Sequence, residues 1–268
     1  MTRFIKNIIV IPIVIITTGS VFAQVDFIYY SGGYNLSETN LDGLNYFINS
    51  YNDQRTHLTR NLNEINLTHG FTVSGGIIIA KNLVIDIGFT QRRGYSYSDE
   101  TLQGDQPYKR ELLARINTIG IGIGKYIFWK DGYKLLVGSN IDFGKVVLRT
   151  RLYNTNDQTV PGYADVGAEF GPDFENNNNL IAVTPYAQFS YTPWGKQFEI
   201  VIKPYYQFQT KESYFEYVNQ AWNPHTYQND SPEATKNFVN SFGIQLKLNV
   251  LMGIDLEYPS VNHNIIIL

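Results

Sequence analysis

The sequence predicts an all-β protein: an antiparallel up-and-down transmembrane β-barrel, of eight strands, with long outer loops of which the first is partly helical. Three observations predict it. Segments of ten or more residues alternate between apolar and polar or small side chains, and successive side chains of a strand point to opposite faces. Short and long connections alternate strictly along the chain, as in outer-membrane barrels with their short periplasmic turns and long outer loops. The first 23 residues have the layout of an export signal.

In that first segment Arg3 and Lys6 supply a positive start, and Asn7 to Thr18 is an apolar run broken by Pro12. Val21-Phe22-Ala23 then forms a small-residue cleavage pattern before Gln24. The run is shorter than the ~20 apolar residues of a spanning helix. Residues 1–23 are therefore expected to be a cleaved signal peptide, 24–258 the barrel and 259–268 a C-terminal tail. The chain has no cysteine among its 268 residues. That excludes disulfides, a thiolate zinc site, a cysteine nucleophile and a lipoprotein anchor. Charged residues are 17% of the chain, below the roughly 25% of soluble domains, while there are 20 Tyr and 16 Phe. A mean hydropathy of −0.21 does not suit a helical membrane protein. A net charge of −3 argues against a nucleic-acid partner.

The strands follow in order. The first, about 25–35, alternates least cleanly. Residues 67–79 set Leu67, Phe71, Val73, Ile77 and Ile79 against Thr68, Gly70, Thr72 and Ser74. After Ala80-Lys81-Asn82, residues 83–91 set Leu83, Ile85, Ile87 and Phe89 against Asp86, Gly88 and Thr90. Residues 118–127 set four isoleucines against Thr118, Gly120, Gly122 and Gly124. Upstream, Leu112, Ala114 and Ile116 lie on even positions, which predicts a bulge. Past Trp129-Lys130-Asp131-Gly132, a tight-turn signal, residues 133–143 alternate. So do 180–192 and, past Pro193-Trp194-Gly195-Lys196, residues 197–209. Residues 238–252 close the series, with alternation reaching Tyr258 before Pro259. Three turns and four long connections, at about 36–66, 97–109, 152–179 and 211–236, join eight strands with both termini on the periplasmic side. Ten strands using the tail is the alternative. A soluble sandwich would bury the apolar faces instead, but strands of ten to thirteen residues exceed the usual five or six of soluble sheets. Tyr126, Phe128, Trp129, Tyr133, Tyr191, Trp194 and Phe198 gather near the turns, as in an interfacial girdle.

In the first loop Leu41, Leu44, Phe47, Ile48 and Tyr51 share a helical face, with Asn40 as cap and Asp42 in the first turn. Leu58, Leu62 and Ile65 continue that spacing. Such a helix packs on the barrel mouth or dips into the lumen.

Inward parity falls on six charges, Asp86, Asp142, Glu199, Lys134, Lys203 and Lys247. An eight-stranded barrel is just wide enough for side chains to fill, so these are expected to form a structural charge network in a plugged lumen. The histidines are His57, His69, His225 and His263. His69, with Ser74 further along its strand, is the one position where an outer-membrane lipid enzyme could be sought. The loop carboxylates Asp157, Asp165, Glu169, Asp173 and Glu175, followed by Asn176 to Asn179, are ligand types that calcium takes, without the spacing of a known calcium loop.

The opening Tyr30-Ser31-Gly32-Gly33-Tyr34-Asn35-Leu36, the eight alternating segments and the Asn- and Tyr-rich loops resemble the small outer-membrane β-barrel proteins of Bacteroidota, the PorT-like group. More loosely, they resemble the eight-stranded barrels of the outer-membrane protein A and X type. The resemblance implies fold and location more than function. The expectation is a non-enzymatic outer-membrane barrel without cofactor or metal, in a structural, surface-interaction or assembly role. Outer-membrane lipid and lipopolysaccharide would surround it, and a protein partner could meet the outer loops or the periplasmic tail. A lipid-modifying enzyme and a narrow transport pore are the rival readings.

Overall fold

The computed structural model describes residues 25–102, 106–157, 159–165, 179–193, 197–215 and 232–253. The expected signal peptide, the tail and the continuation of the last strand to Tyr258 lie outside these residues. The strands are β1 (Val25–Thr39), β2 (Leu58–Arg60), β3 (Leu67–Ile79), β4 (Leu83–Leu102), β5 (Gln106–Lys130), β6 (Tyr133–Asn154), β7 (Ala164–Asp165), β8 (Asn179–Tyr191), β9 (Phe198–Gln209), β10 (Ser213–Tyr214), β11 (Lys236–Asn237) and β12 (Ser241–Gly253). Helix α1 (Asp42–Asp53) follows β1.

Eight strands form a closed antiparallel ring in the order β1-β3-β4-β5-β6-β8-β9-β12, each beside its neighbour in sequence. β12 seals the ring on β1, from Phe27 opposite Gly253 to Thr39 opposite Ser241. Closure leaves no long unpaired edge within the ring. Two tight turns mark one end. Ala80 and Lys81 have φ of 49° and 51°, and Asp131 and Gly132 have 51° and 82°. Positive φ at both central residues matches the right-handed twist of the flanking strands. This is the turn end, and the long connections define the loop end.

The polarity of the ring is inverted relative to a soluble barrel. Ile121 is 54% exposed, Phe242 60% and Ile202 43%, whereas Val201 next to Ile202 is fully buried. On β5 the exposed apolar stripe runs from Ile119 to Phe128, about the ten residues a tilted strand needs to cross a hydrocarbon core. Among the described residues no helix is long and apolar enough to cross a membrane.

The structure corrects four expectations. β4, β5 and β6 run well past the alternation read from the sequence, to Leu102, back to Gln106 and on to Asn154. Their outward positions become polar there (Arg93, Glu111, Arg151), so the apolar signal fades while the ladder continues. No bulge separates Leu112, Ala114 and Ile116 from Thr118. All four are buried on the inner face, and it is the interior that changes from polar to apolar. The bulge lies instead at Ile127, between Tyr126 and Phe128. Tyr126, only 8% exposed, keeps the inward parity of Gly120, Gly122 and Gly124, and the bulge turns the partly buried Trp129 inward as well, so neither joins a girdle. Leu58 to Ile65 is not helical, because a short strand and irregular chain carry it. Leu62 and Ile65 are nevertheless buried.

Helix α1 closes the loop end. Leu41, Leu44, Phe47, Ile48 and Tyr51 pack against Leu112, Ala114 and Ile116 of β5, Val146 and Leu148 of β6, and Leu180 and Ala182 of β8, together with Phe215 and Val239. Asn40 Oδ1 accepts the backbone N–H of Asp42 at 3.0 Å and the Nδ2–H of Asn237 at 2.8 Å. It fastens the helix start to the strand-side chain but does not cap it from the N-cap position, which Leu41 occupies. A second apolar cluster lies toward the turn end: Tyr29, Ile78, Val84, Tyr126, Leu136, Tyr186 and Leu251, with Tyr205 packing on it from the polar compartment.

Candidate functional site

Between these two apolar closures lies a polar compartment built by strand parity. Inward positions of neighbouring strands meet near the axis of an eight-stranded barrel. All six charges singled out above are there, from Glu199 at 0% exposure to Asp86 at 7%.

Among the described residues, the six share one direct ion pair, and hydrogen bonds and ring faces hold the others. Lys134 on β6 and Glu199 on β9 make a direct ion pair. Asn249 Nδ2 donates to the other Glu199 oxygen at 3.1 Å, and Trp129 covers Lys134, with Nζ 4.0 Å from the ring centroid. Asp86 accepts instead from the Tyr29 hydroxyl at 3.1 Å. Asp142 accepts from Thr184 at 2.5 Å and from Gln207 Nε2 at 2.8 Å. Lys203 stands 3.5 Å from the centroid of Tyr186, and Lys247 donates to Ser74 Oγ at 3.4 Å. Buried charge requires either an opposite charge or hydrogen-bond partners. Here hydroxyls, amides and ring faces supply much of what the opposite signs were expected to supply.

Glycines make the room. A Cβ at Gly122 would stand 2.0 Å from Asp86 Oδ1, and one at Gly120 would stand 2.3 Å from Asp142 Oδ1. A Cβ at Gly138 would meet the Tyr186 hydroxyl at 2.6 Å, and one at Gly243 the Tyr205 ring at the same distance. Among the described residues, small polar cavities of about 30 and 20 Å³ lie between these side chains. Each has space for about one or two waters. Asn140 and Asp142 line both.

Sequence reasoning missed Arg92. It is 1% exposed and donates to Gln207 Oε1 at 2.6 Å, to Ser37 Oγ at 3.1 Å and to the Tyr205 hydroxyl at 3.4 Å. Gln207 thus links Arg92 to Asp142. The signal was present, since Arg92 continues the inward parity of Asp86, Gly88 and Thr90. The apolar–polar alternation that marks β4 stops at residue 91, one short of it.

The remaining expectations separate by face. His69 lies on the outward face of β3, where its Nδ1 is 2.6 Å from the Tyr34 hydroxyl. Ser74 has inward parity and meets Ser31 at 3.0 Å, so the wall of the barrel stands between the two. His57 Nε2 lies 3.5 Å from Glu100. His225, His263, Glu169, Asp173, Glu175 and Asn176 to Asn178 lie outside the described residues. Among the described residues no three His, Asp or Glu side chains gather as metal ligands.

The outward face carries its own built cluster above the apolar belt. Glu111 on β5 accepts from Arg151 Nε and Nη2 at 2.9 and 2.6 Å, from Tyr163 at 2.7 Å and from Tyr153 at 2.8 Å. Burial alone would raise its pKa. The donors from Tyr163, Tyr153 and Arg151 outweigh burial and lower it from the ordinary 4.5 to about 2.

No protein-family model matches the sequence, and no curated protein matches it. Solved structures do, at low identity. The attachment invasion locus protein Ail of Yersinia pestis, solved with the heparin analogue sucrose octasulfate, is 11% identical with a TM-score of 0.41. That match covers 85% of this chain and 100% of the other. Neisserial surface protein A is 10% identical with a TM-score of 0.41, over 83% and 96%. The outer membrane protein OprG of Pseudomonas aeruginosa is 8% identical with a TM-score of 0.41, over 86% and 98%.

Proposed function

We propose that the chain is a non-enzymatic barrel of the bacterial outer membrane, with a filled lumen, whose work is done on its surface. One observation carries this reading: the polar compartment is sealed at the loop end by the α1 cluster and at the turn end by the tyrosine-rich cluster. A lumen packed at both ends offers no route for a solute, so what remains is the outer belt and the strand extensions beyond it. The inverted polarity of the wall supports insertion in a bilayer. The signal-like segment 1–23 supports export to the outer membrane. Outer-membrane lipid and lipopolysaccharide are the partners this placement offers, and the loop-end extensions of β4, β5 and β6 offer a surface to a protein partner. The narrower PorT-like membership rests on the Tyr30–Leu36 opening and the strand pattern.

The pore reading has the six lumen charges in its favour. Against it stand two cavities of water size. The lipid-enzyme reading needs a nucleophile beside His69, whose Nδ1 is paired with the Tyr34 hydroxyl. Planar-bilayer recording of the purified full chain tests the proposal: no steady conductance is expected. Large, stable channels, with sugars entering in a liposome-swelling assay, would move the pore reading to first place.

A further inference from the structure

Among the described residues, the ladder between β8 and β9 is the one seam of the ring that breaks in the middle of the apolar belt. Ala182 is opposite Gln209 and Val183 opposite Phe208. Pairing then returns for Tyr186 with Tyr205 alone, and again from Phe189 with Ile202 to Tyr191 with Ile200. The other seven seams run through the same level without a gap. Their register shifts sit toward the turn end, at Val25/Phe27 and at Tyr126/Phe128.

Two prolines account for every missing pair. In an antiparallel ladder, alternate residues of a strand bond to the neighbour on one side, and the residues between them bond to the other. Thr210 donates its N–H to Ile181 O at 2.8 Å, so the odd residues of β8 and the even residues of β9 face this seam. On the far flanks Thr192 donates to Gly132 O and Leu251 to Gln197 O, which turns the even residues of β8 to β6 and the odd residues of β9 to β12. The register places Pro185 opposite Tyr206 and Pro204 opposite Ala187. Neither proline has an N–H. Tyr206 O and Ala187 O therefore point into the seam without a backbone donor, and no side chain among the described residues bonds to either. The surviving Tyr186–Tyr205 pair is flanked by the two bonds that the prolines still accept, from Ala187 N–H to Pro204 O and from Tyr206 N–H to Pro185 O.

Proline in a sheet is ordinarily held to an edge, with its N–H side toward solvent. Here two prolines turn that side to each other's strand, between Val183 and Phe189 on β8 and between Ile202 and Phe208 on β9. At mid-belt an unbonded carbonyl is costly. Directly behind the seam lies the polar cavity of about 30 Å³, lined by Thr184, Lys203, Tyr205 and Gln207, the inward residues of the same two strands.

We propose that the β8–β9 seam is a lateral opening, the line along which the barrel wall parts and joins the interior cavity to the surrounding medium while the apolar clusters at the two ends stay packed. Parting the Pro185–Tyr206 and Ala187–Pro204 pairs breaks two hydrogen bonds, where the same length of another seam breaks four. Opening also lets water reach two carbonyls that lack a donor in the closed wall, a gain no other seam offers. The opening goes beyond the filled-lumen reading and depends on the membrane reading only for the medium it faces.

Amide-resolved hydrogen exchange of the full chain by NMR, in nanodiscs and in detergent micelles, tests it, and each strand carries its own control. Ala187 reports the seam with β9, and Tyr186 beside it the seam with β6. Tyr206 reports the seam with β8, and Tyr205 the seam with β12. Ala187 and Tyr206 are expected to exchange on the order of tenfold or more faster than Tyr186 and Tyr205, since each hydrogen bond absent from the seam is worth up to about tenfold in the opening equilibrium. Pro185→Val with Pro204→Val supplies both missing donors and brings Ala187 and Tyr206 down to the rates of their neighbours. Should that variant fail to insert, Ser190→Cys with Val201→Cys replaces two small buried residues that stand directly opposite across the seam. Its oxidation slows the same two amides and its reduction releases them. Equal rates on the two sides of β8 in the wild type would overturn the opening. So would fast exchange that survives both the valines and the cross-link. A difference seen in micelles by a chain that does not enter nanodiscs keeps the seam and overturns the membrane reading instead.

Discussion

Glu199 and Lys134 bury an ion pair at 0% and 5% side-chain exposure. Such pairs are weak net stabilisers, but removing one partner strands the other, at a cost of about 3–5 kcal/mol. Glu199→Gln is therefore expected to lower refolding stability by that order. Lys134→Met with Glu199→Met should recover most of the loss, as a denaturant titration in vesicles would show. No channel is expected to open in Glu199→Gln, as planar-bilayer recording would show, because the apolar clusters at both ends do not include the pair. Outside the belt, Glu111 gives a pH prediction. Its pKa in the fold, about 2, lies below the ordinary 4.5. Its ionised form therefore stabilises the outer β5–β6 hairpin above pH 4.5, and that contribution fades as pH falls toward 2. Hydrogen exchange of the hairpin amides should rise through that window in the wild type and show no such acid step in Glu111→Gln. At this scale the sequence was legible wherever parity could be counted. Asp86, Asp142 and Glu199 follow from position alone. What they bond to did not, because the arrangement of strands around the ring decides whether Glu199 meets Lys134 of β6 or Lys247 of β12.

Elements were legible where the apolar face is continuous. β3 matches its expected bounds, and β8 and β9 match to within a residue or so. The expected helix of the first loop is present as α1. The misses have one cause. Beyond the belt the outward face no longer meets an apolar medium, so Arg93, Tyr95 and Tyr97 alternate with Gly94, Ser96 and Ser98 without a hydropathy contrast, and β4 to β6 look shorter than they are. The face switch at Leu112 to Ile116 arises because α1 supplies an apolar interior there. A helix contact looks like a bulge when the sequence is read strand by strand. Phe47, fully buried at the centre of that contact, is expected to carry the closure. Phe47→Ala should cost about 3–5 kcal/mol, read as protease cleavage within the first loop of a barrel that remains inserted.

For the whole molecule, one wall separates an apolar outer face, the even positions of β9, from a packed polar interior on the odd positions. The natural chain has no cysteine, so single cysteines can be placed at each position from 198 to 209 and spin-labelled in vesicles. Oxygen, which concentrates in the hydrocarbon, should relax the label with a period of two, with maxima at 200, 202 and 206 and minima at 199, 201 and 205. Water-soluble nickel complexes should show no matching maximum at the odd positions, because the interior is filled. Loss of the oscillation, or oxygen maxima on the odd positions, would contradict the barrel as described.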